Sequence, residues 1–143
     1  MASVHPYLNF NGNTEEAFNF YLSVFGGEFT TLQRFENIPS DVPIPPGSNP
    51  DKIMHVALPI GKETVLMGSD VPESIPPVTM GTNFCISINA ESEEDAQRLF
   101  NGLSAGGQVT MPLDKTFWGA YFGMFTDKFG IQWMVNYDYR QEK

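Results

Sequence analysis

Basic residues, cysteine and long apolar runs are all scarce in this chain. Eight Lys and Arg stand against 17 Asp and Glu, and the net charge of −9 would repel phosphate backbones and anionic membrane surfaces. The single cysteine, Cys85, excludes an internal disulfide framework. No run reaches the roughly 18 apolar residues of a membrane helix, and no signal-like segment follows Met1. We therefore expect a cytoplasmic protein that binds neither nucleic acid nor membranes.

The length of the chain is that of one domain. It has 143 residues, and typical domains run to roughly 100–150 residues, so a second independent core would be undersized. Hydrophobic residues make up 41% of the chain, which is enough to bury a core without cross-links. We therefore expect residues 1–143 to form a single domain.

The first half of the chain predicts the order β-α-β-β-β. Apolar and polar residues alternate over residues 4–11, as in a half-buried strand. Asn13 and Glu16 have the spacing of a capping box, which predicts that a helix begins there. The apolar residues that follow recur with the helical period, and a glycine pair ends the helix: Ala17, Phe18, Tyr21, Val24, Phe25, then Gly26 and Gly27. Strands are predicted at residues 28–36, 53–60 and 64–69, with a proline-rich loop at residues 37–50.

The second half repeats this order after a connector at residues 71–81. A strand is predicted at residues 83–89, and Ser92 with Asp95 opens a helix that ends near Gly106 and Gly107. The inner face of that helix is predicted to hold Ala96, Leu99, Phe100 and Leu103. Strands follow at residues 108–113, 117–126 and 131–137, with a turn at residues 127–130. Such self-similarity predicts an α+β fold of two tandem βαβββ modules, residues 1–70 and 82–143.

The chain also resembles a known family in both halves. The stretches that carry the resemblance are residues 7–13 with 16–17 and 20–21, residues 25–28, His55, residues 66–67, 117–119, 126–130 and 133–136. Together they are similar to the PhnB-like branch of the glyoxalase, bleomycin-resistance and extradiol-dioxygenase superfamily, also called the vicinal oxygen chelate superfamily. The resemblance covers essentially the full length.

The resemblance implies a fold and a type of site. Members of the superfamily curve their mixed sheet into a cup that holds a small ligand, often at a divalent metal, and they frequently form homodimers. PhnB-like chains have also carried a name from ubiquinone synthesis, 3-demethylubiquinone methyltransferase. A nucleotide-derived methyl donor normally needs a glycine-rich turn that leads from a strand into a helix. Both glycine pairs here follow helices instead, so we do not expect that activity.

The family's metal positions can be checked one by one in this sequence. The first-strand ligand positions fall at His5 and at Asn83, and the last-strand positions, where relatives have a glutamate, fall at Met67 and Met134. Thioethers are soft and uncharged, whereas hard divalent ions prefer carboxylate oxygen and imidazole nitrogen. We therefore expect neither a metal nor another cofactor. The alternative for the two methionines is that they fill core volume.

Strand alternation assigns one side of each sheet to the helix and the other to the cup. The predicted ligand-binding residues of the cup are His5, Tyr7, His55, Met67, Asn83, Cys85, Trp118, Tyr121, Met134 and Asn136. His5 and His55 are the candidates for a general acid or base, since imidazole changes charge near neutrality. The alternative is that both are ordinary hydrogen-bonded strand residues. Cys85 is interpreted as a small buried hydrophobe rather than a nucleophile.

Three functions remain open from the sequence. The leading hypothesis is a metal-free cleft for a small organic molecule, with the ligand, the reaction and the existence of any catalysis unspecified. The second is a metal-dependent lyase, isomerase or dioxygenase that recruits His5 and His55. The third is a protein that sequesters a drug or metabolite without turnover. The expected partners are the small molecule and a second copy of the chain.

Overall fold

The chain folds into two compact units of similar plan. The computed structural model describes residues 2–39, 41–43 and 47–141. The first unit ends at Thr79 and the second begins at Met80, so the boundary falls within the predicted connector. Parts of the predicted proline-rich loop, residues 40 and 44–46, lie outside the described residues. Over the described part of the chain, no helix combines the length and apolar character needed to cross a bilayer.

The first unit contains four strands and one α-helix. Its elements are β1 (Tyr7–Phe10), α1 (Thr14–Phe25), β2 (Thr31–Arg34), a short 3-10 helix (Phe35–Asn37), β3 (Ile53–Ile60) and β4 (Thr64–Asp70). The strands lie in the order β1-β4-β3-β2. Strand β1 runs parallel to β4, whereas the other neighbours are antiparallel. The sheet is therefore mixed, as the resemblance to the superfamily implied.

The second unit repeats this plan. Its elements are β5 (Ile86–Asn89), α2 (Glu93–Ser104), β6 (Gln108–Lys115), β7 (Ala120–Thr126), β8 (Gln132–Asp138) and a 3-10 helix (Tyr139–Gln141). The strand order is β5-β8-β7-β6, again with one parallel pair, β5 with β8. The predicted α+β class and the internal repeat are confirmed.

The core of the first unit lies between α1 and one face of its sheet. Alternate strand residues Leu8, Phe10, Val56, Leu58 and Leu66 are buried there, because successive side chains of a strand point to opposite faces. The predicted inner face of α1 meets them, with Ala17, Phe18 and Tyr21 buried. The rings of Phe10 and Phe18 meet edge to face at 6.4 Å.

The core of the second unit lies between α2 and its own sheet. All four residues predicted for the inner face of α2, Ala96, Leu99, Phe100 and Leu103, are buried. Opposite them, the strands bury Phe125, Trp133 and Val135. Phe100 and Phe125 form an edge-to-face pair at 5.1 Å. The helical period of the sequence therefore located this core correctly.

The two helices begin in different ways. Ser92 caps α2 as predicted, since its Oγ accepts a hydrogen bond from Asp95 N at 3.0 Å. The capping box predicted for α1 is wrong, because the Asn13 side chain makes no cap hydrogen bond. Asp70, at the end of β4, takes this role: its Oδ1 accepts from Thr14 N at 3.0 Å and from Thr14 Oγ1 at 2.6 Å. A carboxylate at a helix N-terminus also complements the helix dipole.

Several strands are shorter than predicted, and this changes where candidate residues lie. Strand β1 begins at Tyr7, so His5 precedes it, although Met67 N still donates to Pro6 O. Strand β5 begins at Ile86, so Asn83 and Cys85 precede it. Strand β7 begins at Ala120, which leaves Trp118 in the turn before it.

Candidate functional site

The face of the first sheet that does not contact α1 carries most of the candidate residues. We call it the helix-free face of the first sheet. The strand pairings place its members in adjacent rows: Tyr7 and Asn9 on β1, Val65, Met67 and Ser69 on β4, His55, Ala57 and Pro59 on β3, and Thr31 and Gln33 on β2. His5 lies two residues before Tyr7. The sequence predicted that His5, Tyr7 and His55 lie on the side of the sheet opposite to Leu8, which packs against the helix. The structure agrees with this prediction.

Tyr7 and His55 form a pair on this face. The Tyr7 hydroxyl oxygen lies 3.2 Å from His55 Nδ1, and the two rings stack with centroids 5.7 Å apart and planes inclined by 25°. Tyr7 is 44% exposed and His55 is half-buried. Because β4 lies between β1 and β3, the pair spans three strands. The contact fixes the imidazole orientation while leaving the ring accessible.

His5 accepts a hydrogen bond from a backbone amide through one of its ring nitrogens. Its Nδ1 accepts a hydrogen bond from Val65 N at 3.1 Å. A backbone amide can only donate, so Nδ1 carries no proton, and the neutral ring carries its proton on Nε2. His5 is therefore anchored to β4, and only Nε2 remains for a ligand.

Met67 and Met134 occupy matching positions in the two units. Met67 is paired with Tyr7 across the parallel β1–β4 ladder, and Met134 is paired with Ser87 across the parallel β5–β8 ladder. Both side chains are half-buried, and both alternate with buried residues of the core, Leu66 and Trp133. Each methionine thus lies at the centre of the helix-free face of its own sheet.

The helix-free face of the second sheet is richer in sulfur than predicted. Met134 is in register with Met124 on β7, and Met124 with Met111 on β6. Asn136, a predicted member, is in register with Phe122. The sequence interpretation missed Phe122 and Met124. The signal was present, because the turn at Asp127–Gly130 fixes the register of β7 against β8.

The prediction that Tyr121 lies on the cup side is wrong. Tyr121 is in register with Tyr137, a buried residue, and its hydroxyl oxygen accepts a hydrogen bond from Gln97 Nε2 of α2 at 3.1 Å. It therefore lies on the helix side. Trp118 is 52% exposed, and its ring contacts Phe122 at 6.2 Å, which links it to the helix-free face.

The equivalence proposed between His5 and Asn83 is also wrong. Tyr7 pairs with Met67 as Ser87 pairs with Met134, so the counterpart of His5 is the residue two before Ser87, namely Cys85. Cys85 is a free, half-buried thiol, whereas Asn83 is exposed.

Two cavities lie in the first unit away from the helix-free face, and none of the predicted site residues lines them. Each has a volume of about 270 Å³, and they share Gly12 and Lys52. One of them is lined by Arg34 and Glu15, which form a bidentate ion pair at 2.6 and 2.9 Å. The hydrogen bonds from Arg34 hold the pKa of Glu15 below its ordinary value. These charges are thus already paired with one another.

The chain matches one family model over most of its length. The model of the Glyoxalase/Bleomycin resistance protein/Dioxygenase superfamily matches residues 3–135. The chain belongs to this superfamily. The resemblance stated from the sequence is therefore confirmed.

Individual superfamily relatives agree with the assignment. Protein YjdN of Escherichia coli K12 is 30% identical over 142 residues, which cover 92% of each chain. Among solved structures, protein PA1353 of Pseudomonas aeruginosa is 43% identical, covers 96% of this chain and 98% of its own, and has a TM-score of 0.85. The PhnB protein of Bacillus cereus is 25% identical, covers 95% and 99%, and has a TM-score of 0.76.

The residues at the superfamily's metal positions do not fit a hard divalent ion. The register places thioethers at Met67 and Met134, and a thiol rather than a second imidazole at Cys85, the counterpart of His5. Within residues 2–39, 41–43 and 47–141, no three His, Cys, Asp or Glu side chains converge as a metal-binding group. Manganese, iron(II) and magnesium require more oxygen or imidazole ligands than these positions supply.

Proposed function

We propose that this protein binds a small organic molecule on the helix-free face of a sheet, without a divalent metal in the site. The observation that carries the proposal is the matched pair of methionines, Met67 and Met134. Each occupies the central position of a helix-free face, in the same register with the neighbouring parallel strand. A thioether there favours contact with an apolar body over coordination of a hard cation.

The composition of the faces supports an aromatic or amphipathic ligand of modest size. Methionine adapts to irregular shapes through three flexible torsions. On the face of the first sheet, Tyr7 offers aromatic surface and His55 a hydrogen-bonding group. On the face of the second sheet, Phe122 and Trp118 offer aromatic surface and Asn136 a hydrogen-bonding group. Mixed apolar walls with few polar groups are typical of small-molecule sites.

The names of the relatives do not specify a reaction for this chain. The activity suggested for the B. cereus PhnB protein is that of a 3-demethylubiquinone-9 3-methyltransferase. In this chain the turn from β1 into α1 has one glycine, Gly12, and the turn from β5 into α2 has none. A glycine-rich strand-to-helix turn for a nucleotide-derived methyl donor is therefore missing. Turnover and simple sequestration are both compatible with the proposed site.

The proposal is tested with protein purified without chelator. We expect elemental analysis to find no stoichiometric divalent metal. We expect the fluorescent probe 8-anilinonaphthalene-1-sulfonate to bind saturably, with an affinity that EDTA does not change. Met67→Gln and Met134→Gln should each weaken that binding by roughly threefold to tenfold, because an amide replaces the thioether against the apolar probe.

Met80→Gln is the matched control. Met80 is 43% exposed and precedes β5, outside the strands that form the faces. Its variant should bind the probe as the unmodified protein does. A stoichiometric metal ion, or probe affinity unchanged in both Met67→Gln and Met134→Gln, would contradict the proposed function.

A further inference from the structure

The helix-free face of the first sheet is free of carboxylates in a strongly acidic chain. The net charge is −9, yet the four strands of this sheet contain only two charged residues, Arg34 and Asp70. Both lie on the α1 side: Arg34 pairs with Glu15 of α1, and Asp70 accepts from Thr14. Neither charge is presented on the helix-free face.

Both histidines of the chain lie at this same face. Among the described residues that form this face, they are the only basic side chains, and no lysine or arginine accompanies them. The acidic side chains Glu15, Glu36 and Asp51 instead line the cavity beside α1. The strands of this sheet would therefore offer a cationic ligand no counter-ion, and they would present no repelling carboxylate to an anionic ligand.

The hydrogen bonds of the two histidines bear on which ring nitrogen can donate to a ligand. Val65 N donates to His5 Nδ1, so the His5 proton is on Nε2. For His55 we assign the proton of the contact to the Tyr7 hydroxyl, which donates to Nδ1 and likewise leaves a proton on Nε2. Among the described residues of the first unit, none forms a hydrogen bond with His55 Nε2.

We infer that the helix-free face of the first sheet binds an organic acid, whose oxyanion accepts a hydrogen bond from His55 Nε2 while its apolar body packs against Met67. The inference rests on the proposed function and adds the charge of the ligand to it. Tyr7 is a positioning residue, because its ring stacks on the imidazole and its hydroxyl, in the role of donor to Nδ1, favours the Nε2–H tautomer of His55. A hydrogen bond between N–H and a carboxylate is charge-assisted and stronger than its neutral equivalent.

The test compares two ligands of the same shape, 2-naphthoate and 2-naphthamide, by calorimetric titration of the full chain. We expect 2-naphthoate to bind about tenfold more tightly than 2-naphthamide. In His55→Phe, which keeps a ring to stack on Tyr7 but removes both nitrogens, the preference should fall to about one. Binding of 2-naphthamide, whose carbonyl oxygen loses only a neutral hydrogen bond to Nε2, should fall by a smaller factor than binding of 2-naphthoate. Circular dichroism checks that the variant is folded.

Two further measurements keep the roles of the residues distinct. Tyr7→Phe keeps the stacked ring but removes the hydroxyl, and we expect it to reduce the preference by a smaller factor. Nitrogen-15 NMR of the His55 ring should show the Nε2–H tautomer in the unmodified protein and a mixture of tautomers in Tyr7→Phe.

The outcomes separate this inference from the proposed function. If both naphthalene compounds bind equally and His55→Phe changes nothing, the anion preference is wrong while small-molecule binding stands. An unaltered preference for 2-naphthoate in His55→Phe would also overturn the role of His55. If neither compound binds at millimolar concentration, the proposed function is contradicted together with the inference.

Discussion

At the scale of single residues, the two units depend on buried aspartates for their local geometry. Asp70 Oδ1 accepts from Thr14 N and Thr14 Oγ1, and its Oδ2 accepts from Ile53 N at 2.9 Å. Asp127 accepts from Phe129 N, from Ile131 N and from Trp133 Nε1. Both carboxylates are nearly inaccessible to water, which is tolerated because each is fully hydrogen-bonded. Their role is therefore structural.

Replacing Asp70 should be costly. In Asp70→Ala the amides of Thr14 and Ile53 lose their acceptor, and we expect the free energy of unfolding to fall by about 3 kcal/mol. Asp70→Asn should lower the free energy of unfolding nearly as much, because its side-chain NH₂ group would replace an accepting oxygen and point at a donor. Urea denaturation at neutral pH measures both. Asp114→Ala, at an exposed position, is the control, and a loss below about 1 kcal/mol for Asp70→Ala would contradict this account.

At the scale of elements, each helix packs closely because a glycine lies beneath it in the sheet. A Cβ atom on Gly68 of β4 would lie 2.6 Å from Phe18 Cε1 and 2.8 Å from Leu8 O. On Gly123 of β7 it would lie 2.6 Å from Phe100 Cε2. The aromatic rings of α1 and α2 thus occupy the space that a side chain at these positions would need. The distance between each helix and its sheet therefore depends on these glycines.

Gly68→Ala should therefore overpack the first unit. The added methyl group meets a backbone oxygen that cannot rotate away, so we expect a loss of roughly 1–3 kcal/mol in the free energy of unfolding. Adding Phe18→Leu to this variant should recover part of the loss, since it relieves one of the two clashes. Gly81→Ala, where a Cβ would meet only Asn83 Oδ1 at 3.5 Å, should be neutral in the same chemical denaturation series.

The sequence predicted the elements better than the contacts between them. Both helices follow from the apolar period and the glycines that end them; Gly26, for example, has a φ of 79°. The cap of α1 was missed because Asp70 lies 56 residues further along the chain than its partner Thr14, and no local pattern reports such a contact. Tyr121 was assigned to the wrong face because alternation alone does not fix the register of a strand whose start is uncertain.

At the scale of the whole molecule, the second unit exposes a group of large apolar side chains. Phe117 is 97% exposed, and Phe84, Val109, Met111 and Trp118 are each more than 40% exposed. Isolated exposed apolar residues are normal, but the rings of Phe117 and Trp118 adjoin, with centroids 5.0 Å apart, and such an exposed aromatic pair suits an interface with another chain. We therefore use this pair to test the expectation of a homodimer.

Light scattering tests that expectation. We predict a dimer at micromolar concentration, and a weaker dimer for Phe117→Ser, because the phenyl ring would no longer be buried between chains. Val4→Ser is the matched control, since Val4 is 95% exposed but belongs to the first unit. A monomer for the unmodified chain, or equal effects of the two variants, would contradict the prediction.

The absence of carboxylates from the face that carries the histidines has a kinetic consequence. A negatively charged ligand would meet no opposing charge on arrival, yet it would travel there through the repulsive field of a molecule with a net charge of −9. Dissolved ions weaken that long-range repulsion over a Debye length of about 10 Å at 0.1 M, much more than they weaken a short hydrogen bond. Association of such a ligand should therefore accelerate as sodium chloride is added, which is the opposite of the behaviour of an electrostatically steered complex.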